Sequence, residues 1–399
     1  WLNVCWTLHN IHNVDYTLFD KFIEFSKKSK SYKKISSREI EQYRTKYWNK
    51  SRTGGYSEGS LRLWAKMDNE PMYNKVLYEE IKKELEETIQ CDKFTIEGMG
   101  PLTDMLKSMN NTATSIAKLL YTMYKHEFVL VETRGKGKYY HYRNHRWEKL
   151  QENTLLRQKI YDVKDHYIQY LRDMNSEQKS QIIIDKDRMK KICTIIQKLD
   201  NTSFKQDIMT ECKDLFYGDG TLGREFLEKL DDNNELIGFK NGVYDLGGIE
   251  KNTNGINVKR ISEFRPGRPE DYISLSTGID YIPYEDIKDS QEAKDIHTFL
   301  DQVFVNRDVR EYVLTVLASV LCGSTKNETF HVWSGTGGNG KSKLIELFEY
   351  AFGDYCCKLP VTLLTQPRGR AEGATPALVR TKGKRFACLQ EPDKNEEIQ

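Results

Sequence analysis

Apolar residues recur along the chain with two different periods, and these predict helices in some segments and strands in others. In "DYTLFDKFIEFSKKS", Leu18, Phe19, Phe22 and Phe25 have helical spacing. The same period returns in "VREYVLTVLASVLCG", where an apolar face again predicts a helix. Between these two segments, "FVLVE" and "KYYHYR" flank a basic, glycine-containing loop, which predicts a β-hairpin.

The order of these patterns predicts several domains. Apart from the hairpin, helical patterns dominate until "LIGFKNGVYDL" and "FRPGRPEDYISLSTGIDY", which predict short strands and turns. Helical patterns then return before a final strand–loop–helix pattern. We therefore expect a multidomain α+β fold with mainly helical N-terminal and central regions and a C-terminal α/β domain. The expected segments are 1–75, a linker at 76–100, 101–290 and 291–399.

The composition indicates a globular protein and excludes several other classes. Of the 399 residues, 38% are hydrophobic and 30% are charged, which is not the composition of a disordered chain. The net charge of +2 means that any nucleic-acid contact would depend on local patches. No apolar run approaches the length of a membrane span. Eight cysteines without a C-x-x-C pair argue against a zinc or disulfide framework and favour a reducing intracellular compartment.

A phosphate-binding loop is the most specific motif. The octet matches G-x-x-x-x-G-K-[ST] and consists of Gly335, Thr336, Gly337, Gly338, Asn339, Gly340, Lys341 and Ser342. A β-prone run, "TFHVWS", precedes it, and apolar residues at helical spacing follow it as far as Gly353, which is placed as a C-terminal cap. The glycines allow backbone N–H groups to surround phosphates, Lys341 adds a positive charge, and Ser342 offers a hydroxyl to Mg²⁺. We therefore expect ATP and Mg²⁺ as cofactors.

Such a loop works with an acid at the end of a second strand. In "KRFACLQEPDKNEE", Phe386 to Leu389 form a short apolar run that predicts a buried strand, and Glu391 follows it. We expect Lys341 and Glu391 to be the catalytic pair, with Ser342 and Glu391 on the metal. The alternative for Glu391 is a solvated acid after a strand.

These motifs together resemble a known family. "WSGTGGNGKSKLIELFEYAFGDY" and the later "ATPALVRTKGKRFACLQEPD" are similar to the superfamily 3 helicase core of primase–helicases from large DNA viruses of the poxvirus type, phages and plasmids. Upstream, "DDNNELIGFKNGVYDL" and "YYHYRNHRW" resemble the domain before that core, within 101–290. "YWNKSRTGGYSEGSLRLWAK" resembles the small primase-associated C-terminal domain, within 1–75.

The resemblance implies an AAA+-like ATPase that forms homo-hexameric rings on single-stranded or forked DNA and unwinds it during replication. It also implies that 291–399 is an incomplete helicase core, with a sensor residue and an arginine finger beyond Gln399. Many relatives carry a primase domain further N-terminal, and whether one precedes Trp1 stays open. The host cytoplasm or a viral replication site would be the place of action. Two other functions stay open: a nucleotide-gated scaffold that binds ATP and DNA without unwinding, and a small-molecule kinase, for which no lid or acceptor pocket is visible.

The hairpin is a second candidate site. Tyr140, Tyr142, Arg143, Arg146 and Trp147 combine cations with rings on which single-stranded bases could stack. Packing of the same rings against neighbouring elements is the favoured alternative, because aromatic residues at alternate positions also make a good core.

Overall fold

The computed structural model describes residues 2–11, 17–28, 37–48, 56–90, 113–177, 186–251, 257–323, 329–335, 337–365 and 376–389. Within these ranges the protein is mostly helical with small sheets. The helices are α1 (Leu2–Ile11), α2 (Thr17–Lys27), α3 (Ser37–Tyr43), α4 (Glu58–Asp68), α5 (Glu70–Gln90), α6 (Ala113–Tyr124), α7 (Thr154–Gln158), α8 (Ile160–Glu177), α9 (Lys186–Asp200), α10 (Thr202–Tyr217), α11 (Thr221–Lys229), α12 (Tyr284–Ile287), α13 (Gln291–Val303), α14 (Arg307–Ser319), α15 (Lys341–Phe352), α16 (Thr362–Thr365) and α17 (Pro376–Val379). None of these helices is at once long enough and apolar enough to cross a membrane.

The strands form four small sheets in the described ranges. Their bounds are β1 (Phe128–Glu132), β2 (Lys138–Arg143), β3 (Arg146–Lys149), β4 (Leu236–Phe239), β5 (Gly242–Asp245), β6 (Gly248–Lys251), β7 (Asn257–Arg260), β8 (Glu263–Arg265), β9 (Cys356–Leu359) and β10 (Phe386–Leu389). Their orders are β1-β2-β3, β4-β5-β8, β6-β7 and β10-β9. β9 and β10 pair in parallel.

The chain divides into two compact units. Unit 1 contains Trp1–Tyr142 and Glu148–Glu228, and unit 2 contains Arg143–Trp147 and Lys229–Gln399. The boundaries expected from the sequence at 75, 100 and 290 stay predictions.

Unit 1 begins with a small core built by α2. The predicted helix is confirmed, and Phe19 and Phe22 are fully buried together with Cys5 and Trp48. Phe25 is exposed, because the buried stripe of α2 passes beside it.

The larger core of unit 1 contains the predicted hairpin. β1 and β2 pair in antiparallel register, with Phe128 opposite His141 and Leu130 opposite Tyr139. Phe128, Leu130 and Tyr139 are buried in one cluster with apolar residues of α5, α6, α8, α9 and α10. The strand period therefore places one face of this sheet against helices.

Unit 2 contains an antiparallel sheet with a cluster of aromatic rings on one face. Tyr244 of β5 lies opposite Ile237 of β4 and Phe264 of β8. The Tyr281 ring stacks on Phe264 with 4.5 Å between centroids. Ile237 also packs in a cluster with Phe352, at the end of α15.

The helix predicted in "VREYVLTVLASVLCG" is confirmed as α14. Its apolar face is only partly covered: Leu317 is buried with Leu300 and Leu344, whereas Val309 and Tyr312 are exposed. The covering side chains of α13 and α15 lie beside the C-terminal turns of α14, and no described residue buries its first turn.

Candidate nucleotide-binding site

The glycine-rich loop leads directly into the N-terminus of α15. Gly337, Gly338 and Gly340 have φ angles of 86°, 64° and 80°, in the left-handed region that glycine enters at low cost. A Cβ at position 340 would lie 2.6 Å from Val303 Cγ2, so a side chain there would both strain the backbone and clash. Thr336 lies outside the described residues, and its place in the site stays a prediction.

Two polar side chains meet at the mouth of the loop. Lys341 Nζ donates a hydrogen bond to Asn339 Oδ1 at 2.8 Å. The same amine lies over Gly335, where a Cβ would approach it to 2.8 Å. Within the described ranges this ammonium has an amide partner and no carboxylate partner. An anion at the loop would therefore compete with a neutral group for Lys341.

The first turn of α15 adds to this positive environment. The N-terminal N–H groups of a helix have no partner inside the helix, and the helix dipole favours negative charge there. Ser342 is exposed in this first turn, so its hydroxyl is accessible. The helix is held by Leu344 and Phe352, which are buried, and ends at Gly353 as predicted. The predicted apolar face of α15 consists of Leu344, Leu347, Phe348, Ala351 and Phe352.

The segment before the loop differs from the prediction. "TFHVWS" was expected to be a strand, but residues 329–335 have no regular secondary structure. Phe330 and Val332 are 87% and 78% exposed, while Trp333 packs beside Leu344. A strand of a parallel sheet is stabilised by ladder partners, and none of the described strands pairs with this segment.

The predicted acid-bearing strand is present as β10. It has the predicted bounds, Phe386–Leu389, and pairs along its whole length with β9. It is less buried than expected, because Phe386 packs beside Phe348 of α15 on one face while Leu389 is exposed. Glu391 lies outside the described residues, so its role stays a prediction.

The donor groups fit a metal that arrives with its nucleotide. No group of three or more His, Cys, Asp or Glu side chains in the described ranges is placed to hold a metal ion. One hydroxyl at the mouth of an anion-binding loop, Ser342, is instead what Mg²⁺ bound mainly by phosphates requires.

The hairpin places most of its candidate rings in packing contacts. Tyr142 and Trp147 are 7% and 4% exposed, and Trp147 Nε1 donates to the carbonyl oxygen of Pro269 at 2.8 Å. The Tyr140 ring lies 5.1 Å from that of Phe226. Packing, the favoured alternative from the sequence, therefore accounts for the positions of all three rings.

The two arginines at the hairpin tip are more accessible than Tyr142 and Trp147. Arg143 is exposed and Arg146 is half-buried. Between them, Asn144 and His145 have φ angles of 49° and 66°, so the chain reverses there in a tight turn. His145 Nδ1 accepts a hydrogen bond from the backbone N–H of Gly267 at 3.2 Å. Arg143 and Arg146 stay candidates for nucleic-acid contact.

Two residues for which the sequence predicted no role, Tyr355 and Arg385, connect the C-terminal end of α15 to the start of β10. Tyr355 follows α15, and Arg385 precedes β10; the Arg385 backbone N–H donates to the Tyr355 carbonyl oxygen at 2.8 Å. Both lie in the two segments that resemble the helicase core, Tyr355 at the end of the first and Arg385 in the "GKR" of the second, but no role was predicted for either from the sequence.

Comparison with known proteins gives two family matches. Residues 117–305 match the family described as D5 N terminal like, and residues 1–65 match Primase C terminal 2 (PriCT-2). The two matched ranges do not overlap.

Similar proteins are found in large DNA viruses. The "Putative helicase" of Acanthamoeba polyphaga mimivirus is 32% identical over 97% of this chain and 36% of its own length. The "Putative helicase" of Invertebrate iridescent virus 3 is 31% identical over 51% of this chain and 20% of its own length. The "Putative primase" of African swine fever virus is 30% identical over 50% and 19%. The chain thus spans little more than a third of the longest-matching relative, and together these matches are consistent with the viral primase–helicase family.

Proposed function

We propose that this chain binds ATP with Mg²⁺ as part of a DNA helicase, and that the intact protein couples ATP hydrolysis to unwinding during viral DNA replication. One observation carries the proposal: a loop with three left-handed glycines opens onto the N-terminus of α15, beside an ammonium group that has no carboxylate partner among the described residues. Similarity to this family supports DNA as the partner. The C-terminal α/β ATPase domain and its assembly as a homo-hexamer are parts of the same proposal.

Several residues of the loop, and Glu391 beyond it, have distinct tasks in this proposal. The backbone N–H groups around Gly338 and Gly340 bind the phosphate oxygens, which are anionic acceptors. Lys341 exchanges the Asn339 amide for the β- and γ-phosphates, where negative charge develops during phosphoryl transfer. Ser342 provides one oxygen ligand, and the Mg²⁺ that accompanies ATP neutralises phosphate charge. Glu391 orients and polarises the attacking water.

The deciding experiment is ATP hydrolysis by the intact viral protein, with and without single-stranded DNA. We expect turnover that DNA stimulates, and Lys341→Ala should lower kcat/KM at least about 100-fold, as expected for loss of a charge that stabilises the transition state.

Lys343→Ala is the matched control. Lys343 is an exposed lysine two positions further along α15, and its Nζ contacts Glu346 at 2.7 Å. This variant should keep wild-type turnover. If wild-type protein binds ATP but hydrolyses none with or without DNA, the motor proposal is wrong and a nucleotide-gated scaffold becomes the better explanation.

A further inference from the structure

The segment that follows α15 is attached to the loop between residues 275 and 278 by two hydrogen bonds and a close backbone approach. The Asp354 N–H donates to the Ser276 carbonyl oxygen at 2.9 Å, and the Ser276 N–H donates to Asp354 Oδ2 at 3.1 Å. Gly353 lies so close to the Thr277 carbonyl that a Cβ would clash with it. Thr277 in turn donates its N–H to the Gly238 carbonyl oxygen of β4 at 2.9 Å. The C-terminal end of the phosphate-loop helix is therefore fixed to the β4-β5-β8 sheet.

Tyr355 is the centre of this attachment. Its side chain is 3% exposed, and its hydroxyl accepts the Gly238 N–H at 2.7 Å and donates to the Leu275 carbonyl oxygen at 3.3 Å. Burial raises the pKa of Tyr355 to about 12, so the hydroxyl is protonated at neutral pH and can both donate and accept. One oxygen atom thus joins two segments of unit 2 that are far apart in the sequence.

Arg385 attaches the start of β10 to the same place. Its Nη2 donates to the Leu236 carbonyl oxygen of β4 at 2.6 Å, and its Nη1 donates to the Leu321 carbonyl oxygen beyond α14. Its guanidinium also lies 5.3 Å from the centroid of the Tyr355 ring. The planar fork of arginine suits two carbonyl oxygens that diverge in this way.

We propose that Tyr355 and Arg385 are positioning residues of the nucleotide site, and that the β4-β5-β8 sheet is the base on which the phosphate-loop helix and the strand leading to Glu391 are held relative to each other. This inference rests on the proposed function. α15 has 12 residues and is therefore about 18 Å long, so Tyr355 acts at a distance from the phosphates. It acts through geometry: a displacement at one end of a rigid helix moves the loop at the other end.

The attachment does more than add apolar surface. Phe352 and Ile237 already pack together in the cluster that contains the Tyr355 ring, and this packing does not fix the direction of the helix. Hydrogen bonds are directional, and those of Tyr355 and Arg385 reach the backbone of Gly238 and Leu236, two positions apart in β4. They specify how α15 and β10 are oriented on the sheet.

Tyr355→Phe in the intact protein tests this inference, because it keeps the ring and removes only the hydroxyl. Tyr350→Phe is the matched control: Tyr350 lies on the same helix and is 73% exposed. We measure the Kd of a fluorescent ATP analogue, the KM for ATP, and kcat per nucleotide-binding site. Tyr355→Phe should leave Kd within about threefold and lower kcat about tenfold or more, since misplacement of reacting groups by an ångström can cost 100-fold. Tyr350→Phe should change neither.

Arg385→Lys provides an independent variant that keeps the charge and loses the fork. We expect it to lower kcat in the same way, and Arg385→Ala to lower it further. A purely structural role would reduce the fraction of folded, nucleotide-binding protein and leave kcat per binding site unchanged. That result in both Tyr355→Phe and Arg385→Lys would overturn this inference and leave the proposed function intact. Wild-type protein that binds no ATP would instead overturn the proposed function and this inference together.

Discussion

Two loops of this protein combine glycine with basic residues, and they differ in the partners of their lysines. In the hairpin loop of unit 1, Lys136 Nζ lies 2.8 Å from Glu152 Oε1, and Lys138 is paired with Glu132. In the loop before α15 of unit 2, Lys341 is hydrogen-bonded to the Asn339 amide. Among the described residues, the two lysines of the first loop are therefore paired with carboxylates, whereas Lys341 of the second is paired with a neutral amide.

The difference shows what makes a basic glycine loop a candidate for phosphate. Both loops have left-handed glycines, Gly135 and Gly137 in the first and Gly337, Gly338 and Gly340 in the second. Only the second leads into a helix, whose N-terminal N–H groups add to the lysine. Composition alone does not separate the two loops; the following element and the lysine's partner do.

The largest effect on stability and nucleotide binding should come from adding a methyl group to the loop before α15. Gly340→Ala forces a left-handed alanine against Val303 and should lower the free energy of unfolding of unit 2 by about 3 kcal/mol, from backbone strain and overpacking together. It should also weaken ATP binding at least about tenfold. Thermal unfolding and a nucleotide titration measure both effects.

Gly135→Ala is the counterpart of that change in the hairpin loop. Gly135 also has a left-handed φ, of 60°, but a Cβ there meets nothing within 4 Å. We expect a cost of about 1 kcal/mol, from strain alone. Equal losses of stability in the two variants would show that the contact with Val303 is unimportant.

A smaller effect should follow from giving Lys341 a carboxylate partner, as Lys136 and Lys138 have in the first loop. Asn339→Asp places a carboxylate beside Lys341 and should weaken ATP binding about tenfold, through competition for the ammonium and repulsion of phosphate. A fluorescent-nucleotide titration measures it, and raising the salt concentration should narrow the difference.

The reverse change, Glu152→Gln, frees Lys136 in the hairpin loop. It should not create ATP binding in a Lys341→Ala background, because no helix N-terminus follows that loop. Nucleotide binding by this double variant would break the distinction between the two loops.

The smallest effect concerns pH. The hydrogen bond from Lys136, followed by its charge, holds the pKa of Glu152 below the ordinary 4.5. A lowered carboxyl pKa means that the pair stabilises the fold fully above pH 4.5 and loses this effect as the pH falls through the lowered value. NMR titration should find this lowered pKa in wild-type protein and a value near 4.5 in Lys136→Met.

Local signals in the sequence predicted the bounds of the site's best-defined elements. The Gly-Lys-Ser motif marked the start of α15, Gly353 marked its end, and the apolar run Phe386–Leu389 marked β10. These signals act between residues a few positions apart, so periodicity and capping rules detect them.

Contacts between distant segments could not be predicted in this way. "TFHVWS" has the composition of a strand, yet a strand depends on ladder partners that the run itself does not specify. Tyr355 reaches Gly238 across 117 positions, and Arg385 reaches Leu236 across 149. Each of these contacts uses a backbone group, which any residue type provides, and so the sequence carries no mark of it.

The hairpin tip has a consequence for dividing the gene. Residues Arg143–Trp147 belong to unit 2, whereas the residues on either side of them belong to unit 1. The polypeptide therefore passes between the units three times. A gene that starts near residue 229, or a protease cut there, would give unit 2 without the indole that bonds to Pro269. Recombinant production of unit 2 alone would require a permuted gene that supplies this five-residue piece, since no single uninterrupted reading frame shorter than residues 143–399 encodes it.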